Sequence, residues 1–279
     1  MVSTLVCVMA QVRLGDPTWL KFKENVLDVF GADLALCISD APPKAFGKPT
    51  GEPVNDGPYF KNSKYIFKMK EPTDWLQALE TMSPELVNFR HFPGHWRVPG
   101  GLNTYFKWFL YKSLEKNNLL SKYDRIIITR SDYYWQNPHP VLDNDHVWVP
   151  EGECHGGICD RHMVIPSRWA KDFLEIGERL SVEKHMMPMI KLLKERPWGR
   201  NFMMNNETFL WFMYESEGIQ KRIGFFKHVM YVLTSKYPDE FVDAMNPDSK
   251  TVTWPWKLDH TYVSPVSDMF RGRVIQLDP

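Results

Sequence analysis

A basic excess is missing from this 279-residue chain: Lys+Arg and Asp+Glu each number 34. Net neutrality argues against a dedicated nucleic-acid binder, which carries a positive surplus, although it leaves room for a local basic groove. Cysteine is scarce, with only Cys7, Cys37, Cys154 and Cys159. Cys7 and Cys37 lie inside apolar runs and read as small buried hydrophobes. Cys154 and Cys159 have no second Cys/His pair at zinc-binding spacing, which argues against a structural zinc site. Free thiols in a reducing compartment are therefore expected. Long apolar runs are also missing. The opening segment Leu5 to Ala10 is too short for a signal peptide or a membrane span and has no basic leader, so the expectation is a cytoplasmic protein without an anchor. No HExxH, Walker, GxSxG or GxGxxG pattern occurs. Repeats and low-complexity tracts are absent as well.

What remains is an ordinary globular composition, 43% hydrophobic and 24% charged. No linker is evident, so the expectation is one domain over 1–279 with two lobes, 1–135 and 136–279. Aromatics reach 14%, including 11 Trp. Such rings stack on sugar faces, but they also dominate cores, and packing is the default role for any one of them.

The most informative stretch runs from Tyr123 to Trp135. Arg125 to Thr129 reads as a buried strand that ends abruptly in Arg130, Ser131, Asp132, Tyr133 and Tyr134. Sheets of the α/β class bind ligands beyond the carboxyl ends of their strands. A carboxylate and an arginine there suit a nucleotide diphosphate. Upstream, Leu5–Ala10 and Ala32–Ser39 read as strands around a helix that begins at Asp16-Pro17 and stops at Gly31. That is a βαβ opening and favours a mainly parallel sheet flanked by helices. Residues 41–63 read as a loop, Lys64–Met69 as a strand, 74–82 as a helix and 85–89 as a strand. Asn103–Asn117 reads as a helix, followed by short strands at 146–149 and 163–165. A Ser167-capped helix, a helix at 183–195, a helix opening at Asn205 and a late strand at 224–233 complete the pattern.

Asp132 is the candidate diphosphate or metal group; its bland alternative is a turn cap. Arg13 and Asp40 follow the first two strands and fit phosphate and uracil or ribose respectively. Gln11, Lys107, Arg130 and Tyr134 join them in the nucleotide-sugar-binding set. Gly156 and Gly157 allow close approach of backbone to bound sugar. Trp135, Tyr134 and Trp96 are candidates for stacking, with Gly156, Gly157 and Trp135 on the acceptor side. Asp160 is the candidate general base, since an attacking hydroxyl must lose its proton as the new bond forms. Glu207 is the alternative base, against a plain role as a helix N-terminal charge. Glu151 and Glu153 are more remote choices, and His155, His162 and His260 are possible extra ligands.

The order Val8-Met9-Ala10-Gln11-Val12-Arg13, then Tyr123 to Trp135, Pro150-Glu151-Gly152, Gly156-Gly157, Asp160-Arg161-His162 and Asn206-Glu207 resembles the GT-A-fold glycosyltransferases. It is most similar to the small chlorella-virus enzymes that build capsid-protein glycans, and among those to the fucose-directed xylosyltransferases. The resemblance covers most of the chain. It implies a UDP-sugar donor (UDP-xylose), a glycan or glycoprotein acceptor, a divalent metal (Mn²⁺ or Mg²⁺), an inverting reaction and a site in the host cytoplasm. The usual Asp-any-Asp signature is reduced here to the single acid Asp132, which weakens the expectation of metal dependence. Two alternatives stay open: a non-catalytic carbohydrate-binding protein and a metal-assisted phosphoesterase.

Overall fold

The structure is a computed structural model. It describes residues 2–9, 12, 15–39, 57–70, 101–151, 154, 157–180, 184–185, 187–195, 206–234, 252–253 and 275–276. The expected helix at 74–82 and the strand at 85–89 lie outside these residues. So do Gln11, Arg13, Asp40, Trp96, Glu153, His155, Gly156 and His260.

The chain opens with β1 (Thr4–Met9), every residue buried. Helix α1 (Gly15–Phe22) continues through a π-helical turn (Lys23–Leu27) into a last helical turn at Asp28–Phe30. It ends at Gly31 with φ 54°, the left-handed conformation that glycine adopts without a Cβ clash. Strand β2 (Asp33–Ser39) pairs parallel to β1 and completes the βαβ unit. Within the segment expected as loop, α2 (Pro58–Lys61) forms instead, with Pro at its start. Tyr59 explains it: the ring is fully buried against Trp19 and Phe22, an apolar contact with no local sequence signal. Strand β3 (Tyr65–Met69), helix α3 (Gly101–Lys116) and β4 (Arg125–Thr129) follow.

Strand β5 (Tyr133–Trp135) was not anticipated; it follows β4 after only three residues and joins another sheet. Then come β6 (Val147–Pro150), β7 (Met163–Pro166) and α4 (Ala170–Leu174). Ser167 does not cap this helix; it lies in a 3₁₀ turn, Ser167–Trp169, that leads into it. Helices α5 (Met187–Lys194) and α6 (Asn206–Ser216) precede two strands where one was expected, β8 (Ile223–Phe226) and β9 (Met230–Thr234). Short strands β10 (Val252–Thr253) and β11 (Ile275–Gln276) follow.

The main sheet has eight strands in the order β11-β8-β6-β7-β4-β1-β2-β3. Only β7 runs against the rest. The fold is therefore α/β, with a mixed, mainly parallel, Rossmann-like sheet flanked by helices. Strands from both halves of the chain build it. A second, antiparallel sheet has the order β10-β9-β5.

Period-two alternation divides the core into two layers. On one face Leu5, Cys7, Met9, Ile126 and Ile128 pack with α3 and α6. On the other Val6, Val8, Leu36 and Ile127 pack with α1. Among the described residues no helix is long and apolar enough to cross a membrane.

Candidate functional site

The parallel strands run β3-β2-β1-β4, so chain connections leave β1 to one side for β2 and reach β4 on the other. In open α/β sheets such a reversal opens a crevice beyond the strands' carboxyl ends. Arg130, Ser131 and Asp132 lie at that end, directly after β4.

The turn after β4 is anchored from α1 and α2. Thr18 Oγ1 donates to the Ser131 carbonyl at 2.7 Å, and the Tyr59 hydroxyl donates to the same oxygen at 3.3 Å. This fixes the backbone between Arg130 and Asp132. Arg130 Nε then donates to Asp132 Oδ1 at 2.8 Å, and its Nη2 donates to Oδ2. The fork is bidentate, the strongest geometry for a guanidinium and a carboxylate. Asp132 is buried, while the Arg130 side chain keeps 30% of its surface. Tyr134, in β5, is half-buried.

Strand β7 brings a second charged group to the same end. Ile128 pairs with Met163 antiparallel, so Asp160, Arg161 and His162 enter the sheet where β4 leaves it. Arg161 Nη2 donates to Glu207 Oε1 at 3.3 Å, and its Nε lies 3.7 Å from Asp160 Oδ1. The positive charge of Arg161 also acts on Arg130. The tip of β4 and the bend that carries Gly157 thus share one end of the sheet. Two neighbouring guanidinium groups each hold acids there.

Asp160 is buried at the centre of this second group. Its Oδ2 accepts from the amide nitrogens of both Asn103 and Asn206. Thr104 Oγ1 donates to Asn206 Oδ1 at 3.0 Å, which fixes the orientation of that amide and turns its N–H groups toward Asp160. Lys107 lies one turn after Asn103 on α3. Its ammonium is fully buried and has no hydrogen-bond partner among the described residues. Burial lowers its proton affinity, and the charges of Asp160, Cys159 and Glu207 work against that effect. Lys107 sits deeper than the Asp160–Glu207 pair whose charges act on it.

Glu207 stands at the start of α6 and is 7% exposed. Burial and then the negative charge of Asp160 push its pKa up to about 7, against the pull of Arg161 and Lys107. Gly157 makes this arrangement possible. Its Ile158 neighbour donates to the Glu207 carbonyl at 3.3 Å, and a Cβ on Gly157 would lie 1.9 Å from that same oxygen. The close approach expected of glycine here is to the α6 backbone.

Trp135, expected to stack on an acceptor, is completely buried. It packs on His139 and His162, and its carbonyl accepts from Asn25 Nδ2 at 2.7 Å. It is a core residue, which satisfies the general packing rule for large aromatics. His162 is likewise interior: its Nε2 lies 3.0 Å from His139 Nε2. Among the described residues no group of three or more His, Cys, Asp or Glu is placed to hold a metal, and both Asp132 oxygens are taken by Arg130. The described residues therefore do not assemble the expected metal site.

Sequence reasoning did not single out Asn103, Thr104, Asn206 or Arg161 as functional. One signal was present: Thr104 and Lys107 interrupt the buried face of α3, among Phe106, Leu110 and Leu114.

No protein-family model matches the chain, and no curated protein matches it. Among solved structures, it is similar to the crystal structure of a glycosyltransferase involved in the glycosylation of the major capsid of PBCV-1. Identity is 13% and the TM-score 0.36, with 80% of this chain and 82% of that chain covered.

Proposed function

We propose that this protein is a GT-A-like glycosyltransferase that moves a sugar from a UDP-sugar, favoured as UDP-xylose, to a glycan hydroxyl, favoured as a fucose of a capsid glycan, with inversion. The reading would place it in the host cytoplasm. One observation supports it most. Two partly exposed arginines, Arg130 and Arg161, are neighbours beyond the carboxyl end of β4, beside a buried acid of raised proton affinity. Adjacent guanidinium groups suit the two phosphates of a diphosphate leaving group. A carboxylate that titrates near neutrality suits the proton of an attacking hydroxyl.

In this reading the acceptor oxygen attacks the anomeric carbon as the bond to the diphosphate oxygen breaks. The hydroxyl proton passes to the Asp160–Glu207 pair, and the electron pair leaves with the diphosphate, whose charge Arg130 and Arg161 balance. Asp132 holds Arg130 in place until the donor arrives. Gln11, Arg13 and Asp40 remain proposed donor contacts from the ends of β1 and β2, and Gly156 and Tyr134 proposed sugar contacts. The N-terminal half would hold the nucleotide and the later half the acceptor. A divalent metal (Mn²⁺ or Mg²⁺) remains a proposed cofactor, with Asp132 as the residue that would hold it and positive charge for the departing diphosphate as what it would supply.

The test is differential thermal stabilisation. UDP-sugars with and without Mn²⁺ should raise the melting temperature, and free glycans alone should not. A glycan-only shift would favour a binding protein; no shift with any nucleotide would remove the reading.

A further inference from the structure

The two acids of the site differ in how they are held. Asp160 offers one oxygen to two amide donors, from α3 and from α6, and its other oxygen is buried with no hydrogen bond among the described residues. Neither oxygen is presented to a reactant. Glu207 has no such clamp: its described side-chain partner is Arg161, whose own side chain is 21% exposed. An amide N–H can only donate, and it solvates an anion better than a neutral acid.

We propose that Asn103 and Asn206 are positioning residues that keep Asp160 as the fixed anion of the pair and leave Glu207 as the group that takes and releases the proton. Thr104 serves the same end by preventing the Asn206 amide from turning its oxygen to Asp160. This deepens the transferase reading, since it assigns the base of that same site to Glu207 in place of Asp160.

Among the described residues, the charges that act on Glu207 come from three elements. Lys107 comes from α3, Asp160 and Arg161 from the turn before β7, and α6 adds its own backbone N–H at Glu207. Cys159 acts on Lys107. The negative charge of Asp160 raises the proton affinity of Glu207. Removing the amide donors takes away hydrogen bonds that favour that charge, so Glu207 should ionise at lower pH.

The experiment is a carboxyl ¹³C NMR titration of the free protein labelled at glutamate, with Glu207→Gln to identify the signal. The expected Glu207 midpoint is near 7 in the native protein. It should fall by about one pH unit in Asn103→Ala and in Asn206→Ala, and further in Asp160→Asn, which removes the like charge directly. Asn103→Gln, which restores a donor, should bring the midpoint back toward the native value. Asn103 is only half-buried, so its variant decides the matter should Asn206→Ala fail to fold. A midpoint unmoved in folded Asn103→Ala and in Asp160→Asn overturns the proposal. No substrate is present, so a shifted midpoint in a protein that transfers no sugar would uphold the shared proton and remove only the transferase reading.

Discussion

Gly157 lies so close to the backbone of Glu207 that a single added Cβ would stand 1.9 Å from its carbonyl oxygen. The contact is backbone against backbone, so no side chain can rotate away to relieve it. It ties the turn that carries Asp160 to the N-terminus of α6, and it sets where Glu207 stands relative to Arg161.

Gly157→Ala should therefore push the turn and α6 apart. Overpacking of this kind costs about 1–3 kcal/mol. Urea unfolding should show that loss, and any transfer activity should fall further than stability alone explains. A variant with native stability would mean the turn is free to move away, contrary to this packing.

Glu207 gives the protein an unusual stability profile. Its folded pKa is raised from 4.5 to about 7, so the folded state favours the protonated form. That contribution is complete below pH 4.5 and is lost as pH rises through 7. Glutamine mimics the protonated acid and does not titrate. Glu207→Gln should then gain on the native protein between pH 5 and pH 8, by about 1 kcal/mol or more. Urea midpoints at the two pH values measure this; a difference that does not change with pH would rule out the buried titration.

The His139–His162 pair carries the opposite sign. His139 Nδ1 donates to the Pro140 carbonyl at 2.7 Å, which leaves its Nε2 to accept from His162 Nε2. Burial lowers the His139 pKa from 6.5 to about 4, and burial together with the charges of His139 and His228 lowers that of His162 well below 6.5. Both rings must stay neutral to remain buried. Their contribution is complete above pH 6.5 and is lost as pH falls toward 4. In a Glu207→Gln background, which removes the opposing slope, the urea midpoint should drop between pH 7 and pH 5. His162→Gln keeps an N–H donor and removes one titrating ring, so it should lose less on acidification. An equal loss in both proteins would place the acid sensitivity elsewhere.

Arg130 serves recognition and folding together. Its bidentate partner Asp132 has a side chain only 7% exposed, so removal of the guanidinium leaves a buried carboxylate unpaired and should lower stability too, which urea unfolding reads separately from binding. As a proposed phosphate contact it should matter more to binding. Arg130→Gln should weaken UDP affinity at least about ten-fold by calorimetry, or ~1.4 kcal/mol. Unchanged affinity would move the diphosphate away from the β4 tip.

The fold was legible where the signal is local. The apolar runs of β1, β2 and β4 are buried on both faces, and such runs declare parallel strands with helices on either side. Gly31 announced the end of the first helix because a left-handed residue there favours glycine. Strand β5 was hidden, since Tyr133-Tyr134-Trp135 is short and its partner, Tyr231 and its neighbours, lies nearly a hundred residues later. The short α2 was hidden for the same reason, since distant rings hold Tyr59 in place.

The site divides along the same line. Sequence alone determined that an acid and an arginine follow the buried strand β4, because strand and turn are consecutive and the sheet forces them to its carboxyl end. Asp160 and Glu207 were visible as acids in suggestive places, but not as a pair. That Asn103 and Asn206 converge on one oxygen of Asp160, that Lys107 lies beneath, and that Trp135 is interior depended on tertiary structure. Those contacts join residues 46 and 57 positions apart, and no local pattern specifies them. The packing of α3 and α6 on one face of the sheet creates them.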